Sequence, residues 1–209
     1  MLALSVRDLA KSFGARTLFR DVSFEIEAGE KVALFGPNGC GKSTLLNIIS
    51  GRTDPDSGTV WNRPGAILGY LPQSLQFQGD LTPSDLCRDS AVLGRFGIEP
   101  ALASMPMSTL SAGQQRRVGL AQVWAAQPDL IMLDEPTNHL DAPAMDLLAR
   151  LIRESRAAVL LVSHDRYFLD HTARRVIDLT PRGARSYTGN YTAFRARKDR
   201  ELEAEWRLY

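Results

Sequence analysis

The chain has 209 residues, of which 44% are hydrophobic and 23% are charged, a composition typical of a globular protein with a substantial core. This composition excludes an intrinsically disordered chain. The formal net charge of +1 gives no support to nucleic-acid binding from overall charge, so any such contact would need a local basic patch.

The cysteines and the apolar segments indicate a cellular compartment. Cys40 and Cys87 are too few and too isolated for a disulfide framework or a metal cluster, which predicts reduced thiols. The first residues, MLALSVRDLAKSFG, alternate in polarity and carry charges, unlike a signal peptide. No apolar stretch reaches the roughly 18–20 residues of a membrane span. We therefore expect a cytoplasmic protein with no direct membrane insertion.

Strands and helices alternate along much of the chain. Polarity patterns and short apolar runs predict strands at residues 2–9, 18–27, 31–35, 66–73, 129–135 and 158–165. Helical spacing predicts helices at residues 42–50, 111–126, 143–155 and 190–209, with shorter helices in 80–107 that Gly97 and Pro100 interrupt. Residues 54–58 form a turn cluster. The alternation over residues 111–165 predicts a parallel sheet covered by helices.

The last predicted helix has an apolar face. Its members are Tyr191, Phe194, Leu202, Trp206 and Tyr209, with Lys198 interrupting the row. Taken alone, this pattern fits a solvated terminal helix.

A glycine-rich segment predicts a phosphate site. Residues 36–43, GPNGCGKS, fit the pattern G-x-x-x-x-G-K-[ST], with an apolar strand before them and a helix after them. The glycines let main-chain N–H groups face phosphate oxygens, and the helix N-terminus adds its positive end. Lys42 would neutralise the outer phosphates and Ser43 would bind Mg²⁺. A chance match is the alternative, which the context on both sides disfavours.

Two adjacent acids close a second buried strand. Asp134 and Glu135 follow the run LIML, and neighbouring carboxylates repel unless a cation or separate roles keep both ionised. In phosphate-loop NTPases a carboxylate at this place assists Mg²⁺, so Asp134 is predicted on the metal side. Glu135 is then free to orient or deprotonate the attacking water. A solvated strand end is the alternative for the pair alone.

A third motif resembles one family. Residues 110–117, LSAGQQRR, resemble the signature sequence of ATP-binding cassette (ABC) proteins, with Ala112 where glycine is usual. The resemblance covers almost the whole chain in the right order. It implies a phosphate-loop α/β fold with a mostly parallel core sheet, an N-terminal antiparallel β subdomain and a short helical subdomain. It also implies ATPase activity with ATP and Mg²⁺ bound.

The resemblance assigns roles to individual residues. Glu135, His164 and Gln73 correspond to the catalytic positions, and Ser43, Gln73 and Asp134 to the metal positions. Phe13 corresponds to the aromatic that stacks on adenine. The nucleotide-binding set is completed by the loop residues and the signature side: Gly36, Pro37, Asn38, Gly39, Cys40, Gly41, Lys42, Ser43, Thr44, Ser111, Gly113, Gln114 and Asp141. Taken alone, Phe13 reads as a core aromatic, Gln73 as a surface amide and His164 as a strand cap.

The wording of the motifs resembles the F subfamily of ABC proteins, which have two cassettes joined by a charged linker and act on ribosomes. LDEPTNHLD and SHDRYFLD carry this resemblance, together with the tail GNYTAFRARKDRELEAEW. It implies an ATPase domain at 1–189, with a helical subdomain at about 74–125, and a helix at 190–209 that begins the linker. No extra arm is present between Gln73 and Ser111, which leaves open whether this is a first or a second cassette.

The family implies partners. Each ATP site needs a second cassette, from the same longer chain or from a homodimer, and the chain is expected to be a fragment. The linker would bring it to the ribosome, with its rRNA and tRNA, for translation control or antibiotic resistance; no DNA partner is expected. Three alternatives stay open: the ATPase subunit of a membrane transporter, a cassette for DNA repair or another mechanical task, and a binding module without hydrolysis.

Overall fold

A computed structural model describes residues 1–77 and 80–206 of the chain. Strands and helices alternate along most of its length. The nine strands of the described residues are β1 Leu2–Phe13, β2 Arg16–Glu27, β3 Lys31–Phe35, β4 Ser57–Asn62, β5 Leu68–Leu71, β6 Leu130–Asp134, β7 Ala158–Val162, β8 Arg175–Thr180 and β9 Gly183–Thr188.

The helices follow strands in the core sheet or cluster in the middle of the sequence. Within the described ranges they are α1 Lys42–Ile49, α2 Pro83–Leu86, α3 Ser90–Arg95, α4 Pro100–Ala103, α5 Ala112–Ala125, α6 Ala142–Glu154, α7 Arg166–Thr172 and α8 Tyr191–Trp206, with a 3₁₀ turn at Met107–Thr109. In this part of the chain no helix is long and apolar enough to cross a membrane.

The strands form two sheets. The first has three antiparallel strands in the order β2-β1-β4. The second has six strands in the order β5-β6-β7-β3-β8-β9, parallel except for the antiparallel β8–β9 pair. The predicted mostly parallel core sheet and N-terminal antiparallel sheet are therefore confirmed.

Both faces of the six-stranded sheet are buried along its strands β3, β6 and β7. On β3, Ala33 packs into one core with residues of α5, α6 and α7, whereas Val32 and Leu34 pack into another with β1, β2 and α1. Strands buried on both faces read as unbroken apolar runs, which explains the sequences of β3, β6 and β7. Their carboxyl ends meet at one edge, where ligands bind in open α/β sheets.

Four elements were not predicted from the sequence. The turn cluster at residues 54–58 overlaps β4, which begins at Ser57, so that prediction was wrong for its last two residues. Helix α7 and strands β8 and β9 follow the last predicted strand. Their sequences show no strong helical or strand periodicity of apolar residues. Strand β9 pairs at a sheet edge, where only one neighbour strand is present.

The tail forms the predicted helix, α8. Tyr191 and Phe194 are buried in the core beside Phe35, and the Lys198 ammonium pairs with the buried Asp178 carboxylate at 2.6 Å. The side chains of Leu202, Trp206 and Tyr209, the rest of the predicted apolar face, lie outside the described part of the chain. The first turn of α8 is thus part of the packed fold, and a linker starting in this helix stays a prediction.

Candidate functional site: a nucleotide-type cavity at the sheet edge

The glycine-rich loop joins β3 to α1 at the carboxyl edge of the sheet. Gly41 precedes α1 with φ +98°, a left-handed conformation that side chains disfavour. A Cβ on Gly41 would lie 2.9 Å from the Phe19 ring, and one on Gly36 would lie 2.6 Å from the Leu179 carbonyl oxygen. The loop therefore requires glycine at both positions, and it places main-chain N–H groups at the start of a helix.

The Lys42 side chain lies back over this loop. Its ammonium donates to the carbonyl oxygens of Gly36 at 2.9 Å and Pro37 at 3.1 Å. Cys40 is buried beneath the loop, where burial raises the pKa of its thiol against the opposing charge of Lys42. The Cys40 side chain is therefore a packing group, and only its main chain is available to a ligand.

The two adjacent acids face different partners. Asp134 is the last residue of β6 and is 1% exposed; its Oδ2 atom has no hydrogen-bond partner among the described residues. Burial raises the pKa of the Asp134 carboxyl, while the Ser43 hydroxyl and the charges of Arg116 and Lys42 oppose the rise. Asp134 is thus a buried oxygen donor beside the loop.

Glu135 turns toward β7 instead. Its φ is +49°, uncommon outside glycine, and its N–H donates to the Val162 carbonyl at 2.9 Å. The carboxylate accepts the main-chain N–H of His164 at 3.2 Å, and its Oε1 lies 3.4 Å from the imidazole Nε2. The two carboxylates therefore have different partners, although both line the same cavity.

One cavity of about 650 Å³ collects most of the predicted residues. Phe13, 57% exposed at the end of β1, forms one wall, and Gln73, just after β5, forms another. The other predicted residues that line it are Asn38, Gly39, Gly41, Lys42, Ser43, Thr44, Asp134, Glu135 and His164. A phosphate-bearing ligand would meet N–H donors, an ammonium and carboxylates within this single space.

Sequence reasoning missed two cationic side chains at this edge. Arg16, at the start of β2, lines the cavity and donates from Nη2 to the Gly39 carbonyl at 3.1 Å. Arg116 is buried behind the acids. A single arginine at the start of a strand carries no motif; for Arg116 the helical period of residues 111–126 could have indicated an inward-facing position.

Four predicted nucleotide-binding residues on the signature side lie outside this cavity: Ser111, Gly113, Gln114 and Asp141. Ser111 caps α5 by accepting the Gln114 N–H at 3.2 Å, and the Gln114 side chain accepts the Ser111 N–H at 2.9 Å. A Cβ on Gly113 would lie 2.5 Å from the His139 carbonyl oxygen, so only glycine fits there. Asp141 caps α6 and pairs with Arg117 at 3.0 Å. None of the four lines the cavity.

Comparison with known proteins identifies the family. The family model described as ABC transporter matches residues 19–138. The ribosome protection protein VmlR of Bacillus subtilis (strain 168) is 37% identical over 86% of this chain and 35% of its own length. The ABC transporter F family member 2 of Arabidopsis thaliana is 36% identical over 98% of this chain and 33% of its own.

A third relative is the energy-dependent translational throttle protein EttA of Mycobacterium tuberculosis (strain CDC 1551 / Oshkosh), 29% identical over 97% of this chain and 45% of its own length. The chain therefore spans between about a third and a half of the length of these relatives.

Solved structures give the same fold. The ATP-binding subunit of an ABC transporter matches with a TM-score of 0.80 and 24% identity, over 89% of this chain and 90% of that one. A dimeric ATP-binding cassette in a post-hydrolysis state, bound to ADP and Pi, matches with a TM-score of 0.74 and 25% identity, over 88% and 98%. With relatives of the F type among the curated proteins, and with its loop, acids and sheet order in place, the chain belongs to the ABC transporter family of ATP-binding proteins.

Proposed function

We propose that this chain is an ATP-binding and ATP-hydrolysing cassette of the F type, which closes on a second cassette and acts on the ribosome. The observation that carries the proposal is the cavity in which Lys42 and Ser43 face Asp134, while Glu135 is held by His164. In this arrangement Asp134 binds the cation and Glu135 acts on the attacking water.

Nucleotide binding rests on the loop and on Phe13. Main-chain N–H groups of residues 38–44 bind the phosphates, and Lys42 leaves the loop carbonyls to neutralise the outer phosphate charge. Arg16 adds a second positive charge at the same loop. The exposed Phe13 ring presents a face on which adenine stacks.

The residues beside the loop fit Mg²⁺. The buried Oδ2 of Asp134, which has no hydrogen-bond partner in the described part of the chain, and the Ser43 hydroxyl are hard oxygen donors, which Mg²⁺ prefers. Gln73 lines the same cavity and supplies an amide oxygen. When bound, Mg²⁺ neutralises charge on the phosphate oxygens.

Hydrolysis rests on Glu135. Its carboxylate accepts a proton from water as the water oxygen bonds to the γ-phosphorus; the bond from that phosphorus to the bridging oxygen breaks, and ADP leaves. His164 orients the carboxylate through its N–H and imidazole. Gln73 positions the water from the opposite wall.

The signature residues serve a second cassette. Ser111, Gly113, Gln114 and Asp141 are structured at helix starts but lie outside the chain's own cavity. In the proposed pair they face the ATP held by the partner, as a head-to-tail dimer requires. The partner is the other cassette of a longer chain or a second copy of this one. A dimeric cassette among the structural matches supports this arrangement.

The ribosome is the proposed target, with rRNA and tRNA reached through a linker that follows α8. The printed names of VmlR and EttA, ribosome protection protein and translational throttle protein, support this target. The proposed division at residue 189 separates the sheet, which ends with β9 at Thr188, from α8, whose first turn still packs on it. A cytoplasmic location belongs to the same proposal.

Glu135→Gln tests the chemistry. ATP binding should persist while single-turnover hydrolysis slows by roughly 10²-fold or more, the scale of losing a general base. Light scattering should then detect a nucleotide-bridged dimer in Mg-ATP. A mutant that hydrolyses ATP at the wild-type rate would remove Glu135 from this role.

A ribosome assay tests the target. The full-length protein with Glu135→Gln and the matching change in its second cassette should sediment with ribosomes in ATP and be released in ADP. Because RNA contacts are largely electrostatic, the association should weaken as salt rises. Recovery on membranes instead of ribosomes would favour a transporter subunit, which the structural likeness to transporter cassettes also suggests.

A further inference from the structure

Arg116 is a buried cation whose role no motif accounts for. It lies on α5 and is 3% exposed. Within the described residues its guanidinium donates four hydrogen bonds, all to main-chain carbonyls, and its buried Nε has no partner there. Nη1 reaches Pro72 at 2.7 Å and Gln73 at 3.2 Å. Nη2 reaches Asp134 at 2.5 Å and Glu135 at 2.6 Å. One planar group therefore joins three segments of the chain.

The four bonds lie where the sheet ladder stops. Strand β5 pairs with β6 up to Leu71 and Leu133. The residue that follows β5 is Pro72, which has no main-chain N–H and therefore cannot continue the hydrogen-bond ladder. Arg116 spans this gap and bonds to the two residues that follow the last β5–β6 pair on each side, Pro72 and Gln73 after Leu71 and Asp134 and Glu135 after Leu133.

Charge and shape favour arginine for this task. Burial lowers the pKa of Arg116 to about 10, against the attraction of Asp134 and Glu135, so the side chain stays charged at neutral pH. A guanidinium presents donors in a rigid fork, which can bond to two pairs of oxygens at once. A lysine has one nitrogen and could serve only one pair fully.

We propose that Arg116 is a positioning residue for hydrolysis, which sets the spacing between Gln73 and the acids and ties both to the helix that begins at the signature. The inference rests on the proposed ATPase function. Because Arg116 bonds to all three residues, a shift of α5 would move Gln73, Asp134 and Glu135 together. The phosphate loop makes none of these four bonds, so ATP affinity measured without Mg²⁺, to which Gln73 and Asp134 do not contribute a metal contact, should not depend on them.

The test compares Arg116→Met and Arg116→Lys with Arg88→Met, an exposed arginine in the segment between α2 and α3. Single-turnover hydrolysis in Mg²⁺ and fluorescent-ATP affinity in EDTA are measured for each variant in the full-length protein. Arg116→Met should keep its affinity but lose about 10- to 100-fold in hydrolysis rate, because misplacement by about 1 Å costs on that order. Arg116→Lys should recover part of the rate, and Arg88→Met should match the wild type. Equal losses of affinity and rate, or a wild-type rate in Arg116→Met, would overturn the proposal.

Hydrogen exchange gives a readout that does not require activity. In the lysine variant, and in the methionine variant if it folds, amides of residues 73–77 and 135–138 should exchange faster, while those of residues 39–44 should not change. If all three segments exchanged at the wild-type rate, or all three became faster by the same factor, the positioning role of Arg116 would be contradicted. Full-length wild-type protein, with both cassettes present, that binds but does not hydrolyse ATP would instead contradict the proposed function.

Discussion

Phe194→Ala should strongly destabilise the fold, because this side chain holds α8 on the core. The Phe194 ring is 1% exposed and lies with its centroid 5.1 Å from those of Phe35 and Tyr187 and 6.0 Å from that of Tyr191. Truncating a buried phenylalanine costs about 3–5 kcal/mol. The aromatic contacts, each contributing about 0.5–1.5 kcal/mol, favour the upper end.

The assay is thermal unfolding without nucleotide, since bound ligand would raise the midpoint. For a chain of this size about 1 kcal/mol shifts Tm by about 2–4 °C, so Phe194→Ala should lower Tm by about 8–20 °C. The control is Arg195→Ala on the same helix. Its side chain is 44% exposed and pairs with Asp199 at 3.2 Å, an interaction that contributes about 0.3–0.5 kcal/mol.

A small effect would refute the reasoning. If Phe194→Ala lowers Tm by no more than Arg195→Ala, α8 is not packed as described and is a separable start of a linker. If the expected loss is found, the first turn of α8 belongs to the cassette. A chain ended at residue 189 would then be destabilised, since it would lack Tyr191 and Phe194.

Three further predictions concern the site. Lys42→Ala should weaken ATP binding by at least about 10-fold, the scale of a charge-assisted bond of about 1.5–3 kcal/mol; unchanged affinity in a fluorescent-nucleotide titration would mean that the loop is misassigned. Asp134→Asn should stabilise the metal-free protein at pH 7. Folding raises the pKa of the Asp134 carboxyl, so its ionisation lowers the free energy of unfolding once the pH exceeds the ordinary pKa of about 3.9. Melting curves in EDTA from pH 4 to 8 should show this gain shrinking toward acid, and a gain that grows toward acid would contradict it. Ser111→Arg should block the ATP-bridged dimer of Glu135→Gln with ATP binding retained, whereas Ser111→Thr, which keeps the helix cap, should dimerise.

The sequence alone predicted those parts of the candidate site that are contiguous in the chain. The loop of residues 36–43, the acids Asp134 and Glu135 and the signature from Ser111 each lie within one short segment. Their local conformation depends mainly on near neighbours: glycines allow the left-handed turns, and an apolar run forms the buried strand. These features, and the mostly parallel sheet, could therefore be predicted without coordinates.

Only the tertiary structure decided how the segments meet. Glu135 and His164 are 29 positions apart, and Arg116 contacts carbonyls 43 and 44 positions before it in the chain. Lys198 breaks the apolar row of α8 but has a partner in the buried Asp178, on a strand that was not predicted. Such contacts depend on strand order and on which faces are buried, and these are properties of the whole chain. A lone arginine or lysine shows the same local sequence pattern whether it is solvated or contacts distant residues. Only the fold shows that Arg116 and Lys198 have partners far away in the chain.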